Sequence, residues 1–403
     1  MTLRLADPPP PPQPPPTQPP PSPARQAGVI LSFEGARGAA ALLVALFHLG
    51  LGEPPVLHIR AGYLFVDLFF VLSGFLICMT YSGKLGVRPA ALPNFLVRRI
   101  GRLLPLLLFA TLAFVVVLNL GVFTHRLLDD GTGAPRYYIR PTPLELLATL
   151  TMTHSLGLFD HVILNYAAWS ISTEFYAYLA FAGLCLLLRG ALWPLRPLGF
   201  AAMALLAYAV SIWASVQAHG CLKGGGCMDL TFDYGYWRCL AGFFLGATLS
   251  QLRIRTPARV ALALGQALSL LALLAMFLLA QRLPAVALAA PLLFGLLLLS
   301  LRADEGPLAR VLGTAPLQML GRYSYSIYLM HPVILLGWNA GRAQVVGGLG
   351  RVMFIAGYVA IVLIVSGWTY KLVEDPMRRR FNGFAARYFG ARGAAEVSAA
   401  QAQ

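Results

Sequence analysis

The chain has 403 residues, of which 58% are hydrophobic and only 12% charged, against about 25% charged in an ordinary soluble domain. With a mean hydropathy of +0.69, this composition excludes a soluble enzyme, a coiled coil and a disordered regulator, and 5 Cys are too few for a small secreted disulfide scaffold. The formal net charge of +15 is assigned to the loops that orient a polytopic membrane protein, so no nucleic-acid partner is expected.

In chain order, residues 1–26 come first. Residues 8–23 are nearly all Pro. Proline lacks an N–H and fixes its backbone, so this run makes neither helix nor sheet and reads as a disordered, polyproline-II cytoplasmic tail. It has no apolar core with a cleavage site and is not a signal peptide. Residues 27–381 read as the membrane domain and 382–403 as a short cytoplasmic tail.

A spanning helix needs roughly 20 mainly apolar residues. Ten candidates stand at about 36–53, 62–80, 103–123, 165–188, 199–217, 235–252, 259–280, 284–301, 317–337 and 351–372. The fold class is therefore an all-α polytopic membrane protein. An even number puts both termini on one side. If that side is the cytoplasm, the inner segments hold 20 of the 31 Lys and Arg residues and the outer loops 8, as the positive-inside rule requires. The expected location is the cell inner (plasma) membrane, with membrane lipids as partners. Two longer loops fall outside. Residues 124–164 carry Asp129, Asp130, Arg136 and Arg140, with a moderately apolar stretch from Leu144 to Leu158. Residues 218–234 carry Cys221 and Cys227, which are either an extracytoplasmic disulfide or two free thiols.

Ionisable residues in hydrocarbon are costly, so each marks a functional candidate. The first span holds Arg37 at its inner end and His48 eleven residues on, about 16 Å away on nearly the same face. Gly35, Gly38 and Ala39–Ala41 leave room for another helix or a ligand. The second span carries Asp67, which either orients a histidine, binds an acceptor hydroxyl or bonds a neighbouring helix. Arg98, Arg99 and Arg102 cluster where the third span begins. Guanidinium forks suit phosphate, and the same cluster also serves as a topological anchor. Glu174 falls near mid-membrane among Trp169, Ser170, Tyr176 and Tyr178, a setting that suits a sugar or ring. Salt-bridging to an Arg is its structural alternative. The ninth span presents Tyr325, Tyr328 and His331 at intervals of three, followed by Pro332. Under one topology His48, Asp67 and His331 share the outer half, with Glu174 nearer the centre, which favours a common polar cavity. The tenth span ends in Lys371, Glu374 and Asp375, read as an ionic clamp. Nothing in the sequence has the spacing of a metal site.

Four stretches in order resemble the integral-membrane acyltransferase 3 family, the O-acetyltransferases of polysaccharides, O-antigen and related acceptors. They are Arg37 with His48, FFVLSGFLI at 69–77 followed by RRIGRLLP at 98–105, WSISTEFYAY at 169–178, and GRYSYSIYLMHP at 321–332 followed by VEDPMRRRF at 373–381. The resemblance spans about residues 30–381, without the SGNH domain that such proteins often carry.

That resemblance implies acyl-CoA, usually acetyl-CoA, as cytoplasmic donor and a carbohydrate, glycolipid or other hydroxyl as acceptor. It places Arg37, Arg98, Arg99 and Arg102 on the CoA side and makes His48 the essential histidine. His48 then acts as general base in direct transfer, the alternative being a two-step route through a protein nucleophile. Glu174 or Asp67 would support His48 as the acid of a triad does, and His331 would position the acceptor or stabilise charge. Trp169, Ser170, Tyr176, Tyr325 and Tyr328 would contact substrate. A proton-coupled transporter of a small polar solute or glycolipid is the rival reading, and a scaffold subunit a third.

Overall fold

Apolar runs in hydrocarbon must satisfy every backbone N–H and C=O within themselves, and a helix does so locally. The computed structural model describes residues 30–52, 56–57, 59–88, 91–128, 138–253 and 258–401. The Pro-rich tail and the loop residues Asp129, Asp130 and Arg136 lie outside the described residues. Every regular element among the described residues is helical.

The first half of the chain forms α1 (Leu31–Gly50), α2 (Phe65–Val87), α3 (Ala91–Leu128), α4 (Pro143–Leu150), α5 (Trp169–Leu187), α6 (Arg196–Trp213) and α7 (Cys221–Gly224). The second half forms α8 (Gly235–Gln251), α9 (Arg259–Leu279), α10 (Ala290–Leu301), α11 (Pro307–Leu312), α12 (Ala315–Trp338), α13 (Gly347–Thr369) and α14 (Asp375–Gln401). Each of the ten expected spans overlaps one helix of 12 or more residues. Among the described residues, eight helical segments are long and apolar enough to cross a membrane. The other two are α8, with only 17 residues, and α12, which carries Arg322, Ser324, Ser326 and His331. Both have extensively buried faces, so neighbouring helices rather than lipid surround much of their surface. Exposed leucines instead line α9 (Leu264, Leu268, Leu271, Leu274, Leu278), as a lipid-facing surface requires.

Boundaries differ from the sequence reading in two places. α3 begins at Ala91, so the three arginines lie within its 38 residues rather than ahead of it. At about 57 Å it exceeds the roughly 30 Å of hydrocarbon and projects beyond it. After α13, the helix passes through a π-turn at Tyr370–Glu374 and continues as α14 to Gln401.

Two crossings organise the centre: α1 on α12, and α2 on α8. Both are built on glycine. A Cβ on Gly38 would lie 2.3 Å from the Gly321 nitrogen, and one on Gly74 only 1.8 Å from the Phe243 carbonyl oxygen. The small residues of the first span therefore admit a helix, α12, rather than a ligand. The first crossing carries His48 and Arg37 on α1 alongside His331 and Tyr328 on α12. Cys221 and Cys227 are joined as a disulfide in the loop between α6 and α8.

Candidate active site

Most of the polar candidates gather in two adjoining places. The first is a histidine pair. Nε2 of His331 lies 3.2 Å from Nδ1 of His48, although 283 residues separate them. The His48 Nδ1 is also 2.9 Å from the Val44 carbonyl, and the His331 Nδ1 is 3.3 Å from the Ile327 carbonyl. A carbonyl can only accept, so this network assigns the proton of each neutral ring to Nδ1. His331 Nε2 then accepts from the shared His48 Nδ1–H. His48 Nε2 is left as a bare lone pair with no hydrogen bond among the described residues. Pro332 contributes to the arrangement. It has no N–H, so the Tyr328 carbonyl lacks its helical donor, and the His331 ring lies against that carbonyl. His331 is fully buried and His48 half-buried.

The second place is a cavity of about 140 Å³ lined by residues of α1, α2, α3, α5 and α12. Arg37, Arg99, Arg102, Glu174, Tyr325 and Tyr328 face it, with Ser73, Ser170 and Ser324 between them. Its three arginines differ. Arg37 donates to Glu34 at 2.5 Å and to the Ser324 hydroxyl at 3.0 Å. Arg102 donates to Glu374 at 2.5 Å, and Ser326 holds the other oxygen of that carboxylate at 2.8 Å. Arg99 has no ion pair or hydrogen bond among the described residues. Its guanidinium lies near the rings of Tyr81 and Tyr178, at 5.5 and 5.7 Å, and its Nε is buried without a partner. A buried guanidinium nitrogen with no acceptor is poised for an anion from outside the chain.

Tyr328 links the two places. It lines the cavity, its ring is 5.9 Å from that of His331, and Ser170 Oγ donates to its hydroxyl at 2.8 Å.

Neither expected acidic partner of His48 reaches it. Asp67 is fully buried and bound by Arg238, with Nη2 to Oδ2 at 2.7 Å and Nε to Oδ1 at 3.0 Å. Full burial forces such a pairing, so Asp67 is a bond between α2 and α8 and no member of the histidine group. Glu174 faces the cavity instead, accepting from Tyr178 at 2.5 Å and Ser73 at 2.6 Å. The partner actually found beside His48 is the second histidine. Three further candidates lie away from the cavity. Arg98 does not line the cavity and donates to Asn94 at 2.8 Å. Trp169 packs over the Arg238 guanidinium at 5.4 Å. Tyr176 turns outward to the Thr151 carbonyl at 3.3 Å. At the terminal clamp, Glu374 pairs with Arg102, whereas Asp375 pairs with Arg378 and Arg379.

Arg238 has no assigned role in the sequence reading; it lies in the first turn of α8 and is fully buried. Ser73, Ser324 and Tyr166 were also not assigned. Asp67 alone in a span was the signal that a buried cation had to exist, since an unpaired carboxylate there is untenable.

Comparison with known proteins bears on the family alone. The family described as Acyltransferase domain matches residues 30–371. Protein 2 in picA locus, from Rhizobium radiobacter, is 35% identical over 156 residues, which are 34% of this chain and 80% of that protein. No solved structure matches. Because the matched region takes in both histidines and the whole cavity wall, the chain belongs to the integral-membrane acyltransferase 3 family and is an acyltransferase.

Proposed function

We propose that this acyltransferase moves an acyl group, acetyl by preference, from acyl-CoA to a hydroxyl of a carbohydrate or glycolipid acceptor, with His48 as general base. The supporting observation is the juxtaposition of a cavity holding the unpartnered Arg99 with a histidine whose Nε2 is bare, joined through Tyr328. A volume of about 140 Å³ suits the slender pantetheine arm. The phosphates of the nucleotide would stay at the arginine-rich mouth. Arg99 is the residue best fitted to hold one, since Arg37 and Arg102 already have carboxylates.

In direct transfer, His48 Nε2 takes the proton of the acceptor hydroxyl as the oxygen attacks the thioester carbonyl carbon. The C–S bond then breaks, and the thiolate receives the proton back from His48. The Val44 carbonyl and His331 Nε2 both face the His48 Nδ1–H, so they hold the tautomer and support the transient imidazolium, the task a carboxylate performs in a triad. The proposed setting is the inner (plasma) membrane, with donor on the cytoplasmic face.

The test is transfer of radiolabel from acetyl-CoA on membranes carrying the wild-type chain or its His48→Ala form, with extracted glycans and lipids as acceptors. Label that appears with wild type and vanishes with His48→Ala supports the reading. Equal labelling at equal protein level removes His48 from the chemistry.

A further inference from the structure

Tyr166 stands beside the histidine pair. It opens a short 3-10 turn, Tyr166–Ala168, just ahead of α5. Its position is locked by its neighbour Asn165, which is fully buried, donates to the Leu329 carbonyl at 2.9 Å and accepts from the Ala167 N–H at 3.2 Å. That anchor ties the turn to α12 two residues before His331. The Tyr166 ring lies 5.0 Å from the ring of His48 and 6.1 Å from that of His331. Its hydroxyl oxygen is buried and has no hydrogen-bond partner among the described residues. The hydroxyls of Tyr328 and Tyr358, which lie in its neighbourhood, are turned to other partners, Ser170 and the Ala45 carbonyl.

A buried O–H without a partner weakens the fold, and phenylalanine would pack the same ring without that cost. A tyrosine whose ring stands beside the base and whose hydroxyl has no acceptor keeps a donor in reserve for charge that exists only during reaction. We propose that the Tyr166 hydroxyl donates to the thioester carbonyl oxygen as it becomes an oxyanion. This rests on the acyl-transfer reading above. As the acceptor oxygen, losing its proton to His48 Nε2, bonds to the carbonyl carbon, the C=O π pair moves onto the carbonyl oxygen, which takes the Tyr166 hydrogen bond. Collapse restores the C=O, breaks the C–S bond and releases the thiol protonated by His48. Tyr166 keeps its own proton throughout.

The experiment compares wild type, His48→Ala and Tyr166→Phe in detergent, with acetyl-CoA and the acceptor fraction that takes label. Steady-state constants and melting temperature are measured on each. The expected result for Tyr166→Phe is a fall in kcat of about a hundredfold, with both KM values held within about twofold and a melting temperature equal to or above that of wild type. An unchanged kcat overturns the proposal. So does a raised acceptor KM at full kcat, which makes the hydroxyl a ground-state contact. A lowered melting temperature with activity lost only in proportion to folded protein makes it structural and also overturns it. Absence of transfer by wild type is a different failure, that of the acyl-transfer reading itself, and takes this proposal with it.

Discussion

At the scale of single residues, identical side chains have different duties because their partners differ. Arg99 and Arg102 are three positions apart in the same helix. Arg102 is neutralised by a buried Glu374 and Arg99 by nothing among the described residues. Arg99→Ala is therefore expected to raise the KM for acyl-CoA by about tenfold, the loss of one charge-assisted contact, while the melting temperature stays put. Titration of the donor at saturating acceptor reads the first, and a thermal scan in detergent the second. Arg102→Ala strands a buried carboxylate and is expected to cost on the order of 3 kcal/mol of stability. Asp67→Ala strands Arg238 in the same way, with a comparable loss of about 3–5 kcal/mol in a denaturation series. A milder result for either would mean that water reaches the pair. The run RRIGR advertised a basic cluster in the sequence. Which of its arginines was free depended on Glu374, some 270 residues on, and no local pattern encodes that.

Helices are the next scale, and here glycine governs. The α2 on α8 crossing places the Gly74 Cα against the Phe243 carbonyl, whereas a Cβ on Gly83 of the same helix would meet nothing within 4 Å. Gly74→Val is thus expected to abolish a monodisperse protein on size-exclusion chromatography, and Gly83→Val to leave it intact. Equal behaviour of the two would show that the crossing is looser than drawn. The ten apolar stretches were legible as helices because hydrocarbon makes length and apolarity sufficient. Their ends were less so. Arg98, Arg99 and Arg102 look like a loop in a hydropathy reading, yet α3 runs through them because a helix that leaves the membrane can carry charge into the headgroups. The short α8 and polar α12 were also read as spans. Their neighbours bury the polar groups that lower their apolarity.

On the scale of the whole molecule, the loop between α6 and α8 is held by the only disulfide among the described residues, Cys221 to Cys227, while Cys78, Cys185 and Cys239 are buried. Maleimide labelling of native protein is expected to be negligible before reduction and to reach two thiols after it. Labelling of Cys221 without reductant would show the bond absent. Replacing both by Ser is expected to cost about 2 kcal/mol, as befits a short closed loop. By itself the sequence determined the membrane class, the helical architecture and the order of the motif-bearing spans. Each of these follows from runs of neighbouring residues meeting one solvent, the bilayer. Only the tertiary structure decided that His48 takes His331 rather than a carboxylate, that Asp67 belongs to Arg238, and that Tyr166 stands unpartnered beside the base. A buried polar group must find its partner on whichever helix packs against it, and that neighbour is chosen by close packing between segments hundreds of residues apart.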